Sequence, residues 1–407
     1  MSERGGATVE VVIAGGGIGG LAAALAASRA GCDVRLLERA AAFSDVGAGV
    51  QLGPNVTRVL HAWGLHDALK SVAAFPARLQ VRSAEGGEVL GELPLGQAMA
   101  TRYGAPYATV HRADLHGLLL EALQQHDDIN LHAGRALQSF SQSPDAVRLY
   151  TATGPDIECD ALIGADGLWS TVRQQMLGDG LPQRTGHLAY RALVPQATLP
   201  SPLRSNDVTV WLGPRMHVVQ YPVRSGEQLN VVAFVHGDVP DDAGARIAWD
   251  HSANRPDLLA ALGETCAGLR SLIEAIPAWR LWVMYDRPTM HGAHQHALGR
   301  VALLGDAAHP MRPYLAQGAG MAIEDAAELG NALSQAKAVD FDVPALLQRY
   351  ALNRWQRNSR VQKRALRNGQ IFHADGVVRW GRDASMKLLG AKVLDMPWLY
   401  GAVARVL

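Results

Sequence analysis

Residues 9–38, VEVVIAGGGIGGLAAALAASRAGCDVRLLE, decide the architecture. Val9–Ala14 is a short apolar run rich in β-branched residues, which suits a strand buried on both faces of a parallel sheet. Gly15, Gly16, Gly17, Gly19 and Gly20 follow, and then Ile18–Ala30 supplies alanine-rich helix formers closed by Gly31. Asp33–Leu37 reads as a second strand ending in Glu38, so strand, helix and strand fill one βαβ unit. An apolar N-terminal run could also be a secretory signal or a membrane span. So many glycines together would break a spanning helix, and a tight turn between buried strand and helix explains them better.

Gly15-x-Gly17-x-x-Gly20 stands where such a turn binds a dinucleotide. The first glycine permits the turn, the second lets backbone approach a pyrophosphate, and the third lets helix and strand pack closely. The helix N-terminus offers N–H groups to the phosphates. Glu38, with Arg39 beside it, sits where a carboxylate accepts hydrogen bonds from ribose hydroxyls. This motif leaves NAD and FAD equally open.

Beyond residue 77 the pattern changes. Leu79–Ser83 and Glu88–Leu93 flank Glu85-Gly86-Gly87, a hairpin signature. Helical sequence returns at Arg112–Gln125 and a buried strand at Ala161–Gly164. Residues 183–287 alternate like strands, as in Asp207–Leu212, Met216–Pro222 and Leu229–Val235, and after Gln317 the chain reads as nearly continuous helix. The expected fold is α/β. A discontinuous Rossmann-type nucleotide domain (1–76, 105–182 and 288–345) holds an inserted antiparallel-sheet substrate domain (77–104 and 183–287). A helical C-terminal region, 346–407, follows.

Lys+Arg and Asp+Glu both count 38 among 407 residues, so net charge gives no reason to expect nucleic acid or an anionic membrane as partner. Cys32, Cys159 and Cys266 are far apart, which offers no metal-ligand pair and no complete disulfide framework. No metal is expected, and the location expected is cytoplasmic.

Two further motifs narrow the cofactor to FAD. Ala161-Leu162-Ile163-Gly164-Ala165-Asp166-Gly167 runs into Ser170 and Arg173. Gly299–Leu304 then delivers Gly305-Asp306-Ala307-Ala308-His309-Pro310, followed by Gly318-Ala319-Gly320 and Glu324-Asp325-Ala326. Asp306 would stand at the carboxyl edge of the sheet, able to hold a ribityl or ribose hydroxyl. The Gly318-Ala319-Gly320 turn would aim N–H groups at the flavin ring edge.

The set resembles the single-component (class A) flavoprotein aromatic hydroxylases, the group of para-hydroxybenzoate, salicylate and 3-hydroxybenzoate hydroxylases, from residue 9 to about 360. The resemblance implies non-covalent FAD and a small aromatic acid hydroxylated with O2 through a flavin 4a-hydroperoxide, as in aromatic compound catabolism. It assigns Asp166 with Arg173 to the FAD and NAD(P)H sites, Asp306 to the FAD ribose, and Arg112 of His111-Arg112-Ala113-Asp114-Leu115 to a course along the FAD. No second Gly-x-Gly-x-x-Gly follows a strand, which fits NAD(P)H as a transient co-substrate. Taken singly, Asp166 also reads as a turn residue and Arg112 as a solvated helix start.

On the strand Met216–Pro222, a period of two puts Arg215, His217, Val219 and Tyr221 on one face. Trp211–His217 resembles the salicylate and 3-hydroxybenzoate 6-hydroxylase branch, in which a histidine on this strand faces the substrate phenol. His217 is thus the candidate proton acceptor, or else a hydrogen-bonded core histidine, and Tyr221 a candidate substrate-orienting hydroxyl. In the loop Val46–Asn55, Gln51 could contact the flavin or merely line the loop. Arg191 could counter a carboxylate or brace the sheet. Pro313 falls among the cofactor-contacting positions, where the 3-hydroxybenzoate branch has a glutamine near the substrate, which leaves substrate and ring position open. The arginines of Gln348–Arg367 read as a solvated face, and a homodimer is possible. Other readings are an FAD-dependent reductase, a halogenase or a non-catalytic FAD-binding protein. Ile276-Pro277-Ala278-Trp279-Arg280-Leu281-Trp282 lacks the Trp-x-Trp-x-Ile-Pro order of the halogenases.

Overall fold

Glu10–Ala14 forms the strand that its apolar run requires, in a computed structural model that describes residues 8–44, 47–237, 251–337 and 342–402. It pairs in parallel with Asp33–Leu37 on one side and Ala161–Gly164 on the other, and Val11, Val12 and Ile13 are fully buried. Ile129–His132 extends one edge of this sheet in parallel, and Val301–Leu303 with the antiparallel Ala297–Leu298 extends the other. Three distant stretches of chain thus bring their carboxyl-end turns to one edge. The helix Ile18–Arg29 lies on the sheet and packs against Gly318–Leu333, where a side chain on Gly330 would come within 2.9 Å of the Ala26 carbonyl oxygen. Small residues set that spacing.

An eight-stranded sheet runs in the order His251–Ala253, Trp279–Asp286, Gln183–Pro195, Gln228–His236, Met216–Val223, Val208–Gly213, Arg78–Ser83, Val89–Pro94. All neighbours are antiparallel except Val208–Gly213 with Arg78–Ser83, which are parallel. The period of two divides its faces. Met216, Val218, Val231, Ala233 and Val235 pack with the helices Arg255–Leu262 and Ala267–Ala275 into a core of their own. His217, Val219 and Tyr221, with Val232, Phe234 and Arg191 from neighbouring strands, take the opposite face.

Two expectations need correction, and one sheet went unmarked. Arg215 lies outside the strand: it is an exposed turn residue with φ +57°, one place before Met216–Val223 begins, so the period of two does not fix its face. Residues 137–159 form a separate three-stranded sheet, Leu137–Gln142, Val147–Thr151 and Ile157–Cys159, which no motif marked. The basic helix Val343–Phe372 is only partly solvated. Arg349, Arg360, Lys363 and Arg367 are exposed, but Arg354 is buried and Arg357 half-buried against Glu324 and Asp325. Among the described residues no helix is long and apolar enough to cross a membrane.

Candidate active site

The glycine turn opens onto a trench made of three cavities in series. The outermost is lined by Gly15, Gly17, Glu38, Arg39, Asp166 and Trp169. It shares Gly17, Ala165 and Gly167 with the middle one, which adds Gly305, Asp306, Gly318 and Ala319. The middle one shares Arg112, Asp306, Gly318 and Ala319 with the innermost, which ends at Arg191, Tyr221 and Phe234.

The stereochemistry of the three glycines fits an extended dinucleotide in this trench. Gly15 has φ +109°, and a side chain there would strike the Ala165 carbonyl oxygen at 2.4 Å. A side chain on Gly20 would lie 1.8 Å from the Gly15 oxygen, so Gly20 serves helix packing and lies outside the trench. Gly17 faces open space, with nothing within 4 Å of its missing side chain. Its backbone is therefore the surface a pyrophosphate can approach. Glu38 accepts from Gly16 N at 2.7 Å and Ala40 N at 2.8 Å, one bond to each carboxylate oxygen. Each oxygen keeps a second lone pair for a ribose hydroxyl.

Asp306 stands in the turn after the strand Val301–Leu303, in front of the N-terminus of Gly318–Leu333. It is exposed, yet so deep in the trench that burial raises its carboxyl above the ordinary value, against the opposing pull of Arg112 and His309. A group so placed gains by accepting hydrogen bonds from a bound polyol. Asp306→Ala is expected to weaken FAD retention by about ten- to a hundredfold, the worth of one charge-assisted hydrogen bond. Fluorescence titration of the stripped protein measures it, and wild-type affinity would remove Asp306 from the site.

Not every expected contact reaches the trench. Asp166 borders it, but its carboxylate receives Ser170 Oγ at 2.5 Å, Thr171 N at 2.7 Å and Val172 N at 3.1 Å, capping the helix Thr171–Leu177. Arg173 is buried elsewhere, bound to Asp179 and to the carbonyls of Ala307 and Ala308. It braces the Asp306 turn from behind. Gly320 packs against Val56, and only Gly318 and Ala319 of that turn face the cavity. Val46 lies outside the described residues.

The innermost cavity, about 170 Å³, has apolar walls of Val219, Val232, Phe234 and Met311, with Pro313 and Gln51 at its edge. Tyr107 donates its hydroxyl to Gln51 Oε1 at 2.5 Å, and Tyr221 donates to the Gly49 carbonyl at 2.6 Å. Burial drives the Tyr221 phenol well above its usual pKa, so it remains a donor. Arg191 stacks over Trp282 at 3.8 Å, and its buried Nε has no hydrogen-bond partner. Burial lowers its pKa to about 10. A cation in that state accommodates an anionic group.

His217 does not line this cavity. It lies beside it, stacked on the Phe234 ring at 4.6 Å and hydrogen-bonded through Nδ1 to His373 Nε2 at 2.7 Å. Burial lowers its pKa to about 3, so its ring is neutral. The sequence reading named neither Phe234 nor His373. Their meeting with His217 depends on strand register and on the end of a helix 156 residues away, and no local pattern records either.

The comparisons with known proteins agree with this geometry. The family model described as "FAD binding domain" matches residues 8–365. The chain is 38% identical over 398 residues to 3-hydroxybenzoate 6-hydroxylase of Polaromonas naphthalenivorans (strain CJ2), covering 97% of this chain and 96% of that one. It is 36% identical to 6-hydroxynicotinate 3-monooxygenase of Bordetella bronchiseptica (strain ATCC BAA-588 / NCTC 13252 / RB50), over 87% of this chain and 89% of that one. A salicylate hydroxylase solved as its substrate complex superposes with a TM-score of 0.80 at 28% identity, covering 97% of this chain and 96% of that one. With the match running from the glycine turn through the basic helix, the chain belongs to the FAD binding domain family of flavoproteins.

Proposed function

We propose that this chain is an FAD-dependent monooxygenase that uses NAD(P)H and O2 to hydroxylate a small aromatic acid held in the Arg191–Tyr221 cavity. The observation that carries this is the continuity of the trench: the segment suited to FAD leads directly into an apolar cavity with a buried, hydrogen-bond-deficient guanidinium at its end. FAD bound there would supply the redox chemistry, with NAD(P)H as reductant and O2 as oxidant. The relatives named as 3-hydroxybenzoate 6-hydroxylase and 6-hydroxynicotinate 3-monooxygenase support an aromatic acid as substrate class.

The chain's own residues would bind, orient and exclude water. Gly17, Glu38, Arg112, Asp306, Gly318 and Ala319 would hold FAD along the trench. Arg191 would receive the substrate carboxylate, and Val219, Val232, Phe234 and Met311 would clamp the ring and keep the reacting face dry. Tyr221, fixed by its bond to Gly49, would set the depth of entry. A ring hydroxyl makes its ring more nucleophilic as it loses its proton. His217, neutral and held through Nδ1 by His373, would accept a hydrogen bond from that hydroxyl through Nε2 and so polarise it, its lowered pKa keeping it from storing the proton.

His217→Ala is expected to leave FAD content near wild type while product formation falls about a hundredfold and part of the NAD(P)H oxidised is diverted to hydrogen peroxide. Because burial holds the His217 pKa near 3, the wild-type kcat/KM profile with a hydroxybenzoate should show no acid limb near pH 6.5. Fully coupled hydroxylation by the alanine variant would take His217 out of the reaction. The function itself is tested by NAD(P)H-dependent oxygen uptake across hydroxybenzoates and hydroxypyridine carboxylates, with products identified by mass spectrometry. Peroxide as sole product across the panel would refute it.

A further inference from the structure

His187 and His236 are direct partners across adjacent antiparallel strands, so their imidazoles leave the same face of the sheet. His373, the residue after the helix Val343–Phe372, closes on them. One nitrogen from each of the three rings lies within 4.8 Å of the others. His373 Nδ1 and His236 Nε2 are 2.9 Å apart. The other nitrogens of two of the rings are already held. His187 Nδ1 meets the Tyr314 hydroxyl at 2.6 Å, and His373 Nε2 meets His217 Nδ1 at 2.7 Å. Imidazoles that ligate metals are oriented in this way, through a hydrogen bond at the nitrogen remote from the ion.

We infer that His187, His236 and His373 form a binding site for one divalent transition-metal ion of the zinc class. Three imidazole nitrogens suit zinc and its neighbours, whereas magnesium and calcium prefer oxygen ligands. His187 and His236 are half-buried, which leaves a path for the ion and a solvent-side position for water. Binding requires that the shared His236–His373 hydrogen bond give way, with the His373 proton moving from Nδ1 to Nε2 and the His217 proton moving in turn from Nδ1 to Nε2, so the acceptor form of His217 belongs to the metal-free protein. Arg312 and Arg215 face the cluster and oppose a cation, although Asp286 pairs with Arg312 at 2.8 Å. The spacing of the three histidines resembles no metal motif, since 137 residues separate His236 from His373. The inference departs from the expectation of no metal, because tertiary placement brings the three rings together.

The test uses untagged, FAD-loaded protein stripped with chelator and dialysed against Zn2+ or Mg2+, with bound metal counted by atomic emission. One zinc and no magnesium per chain are expected, together with a higher melting temperature. His236→Gln should weaken zinc binding at least tenfold with FAD content unchanged, and His187→Gln repeats the test from the neighbouring strand. Tyr314→Phe, which frees the remote nitrogen of His187, should weaken it about tenfold. Substoichiometric zinc in the wild type overturns the inference, as does undiminished zinc binding in both glutamine variants.

Discussion

Arg354→Ala is expected to destabilise the protein by about 3–5 kcal/mol, the cost of stripping a buried ion pair of one partner. Arg354 is 5% exposed, and its guanidinium reaches Asp325 Oδ1 at 2.7 Å, Glu324 Oε2 at 3.0 Å and Asn358 Oδ1 at 3.0 Å. Burial pushes both carboxyls up, but the charges around them prevail. Arg357 and Arg354 hold Glu324 below the usual range, and His309 and Arg354 hold Asp325 far below it. Removing Arg354 leaves Glu324 paired with Arg357 and Asp325 in contact with His309.

The damage should reach the cofactor site. Asp325 Oδ2 accepts from Gly305 N at 3.1 Å and meets His309 Nε2 at 2.5 Å, which pins the turn that presents Asp306. Urea unfolding with and without added FAD would therefore show a lower midpoint and a smaller gain on adding FAD. Arg354→Lys keeps the charge but not the planar fork, so it should fall between alanine and wild type. A wild-type midpoint for the alanine variant would show the network to be without energetic weight.

What the sequence disclosed was local. Gly15, Gly17 and Gly20 do their work within six positions, so a strand–turn–helix can be read off them together with Glu38. The buried strands at Ala161–Gly164 and Val301–Leu303 were legible because parallel strands are apolar on both faces. Arg354 was misread, although a signal existed. Leu347, Tyr350, Arg354, Asn358, Val361 and Ala365 recur at helical spacing and form one buried stripe. An arginine inside such a stripe must have a buried acid opposite, and Glu324-Asp325 was the acidic pair in the neighbouring helix. The meeting of His217 with Phe234, and the division of labour between Asp166 and Arg173, depend on register and on bends that one-dimensional periodicity does not encode.

Arg191→Ala is expected to lower kcat/KM for an aromatic acid by about 2–5 kcal/mol, or roughly 30- to 4,000-fold, as for other buried charge pairs deprived of one member. The fold should not suffer with it. Among the described residues Arg191 has no ion pair, its Nε lacks a hydrogen bond, and its main contact is the face of Trp282. Burial disfavours its charge strongly enough to bring its pKa down to about 10, so the free protein bears a strain that its removal relieves. Chemical unfolding of the variant should give a midpoint at or above wild type while substrate-dependent turnover collapses. A purely structural arginine would produce the reverse, lower stability with activity lost only in proportion to folded protein. Arg191→Lys separates charge from geometry, because a point charge attracts a carboxylate but cannot grip it with two parallel bonds. The lysine variant should regain part of the lost kcat/KM, and an aromatic substrate lacking the carboxylate should turn over equally poorly in wild type and alanine variant. Should the alanine variant keep a wild-type KM and kcat for the acid, the carboxylate would have to dock elsewhere along the trench, and the orientation of the ring in the cavity would have to be reversed.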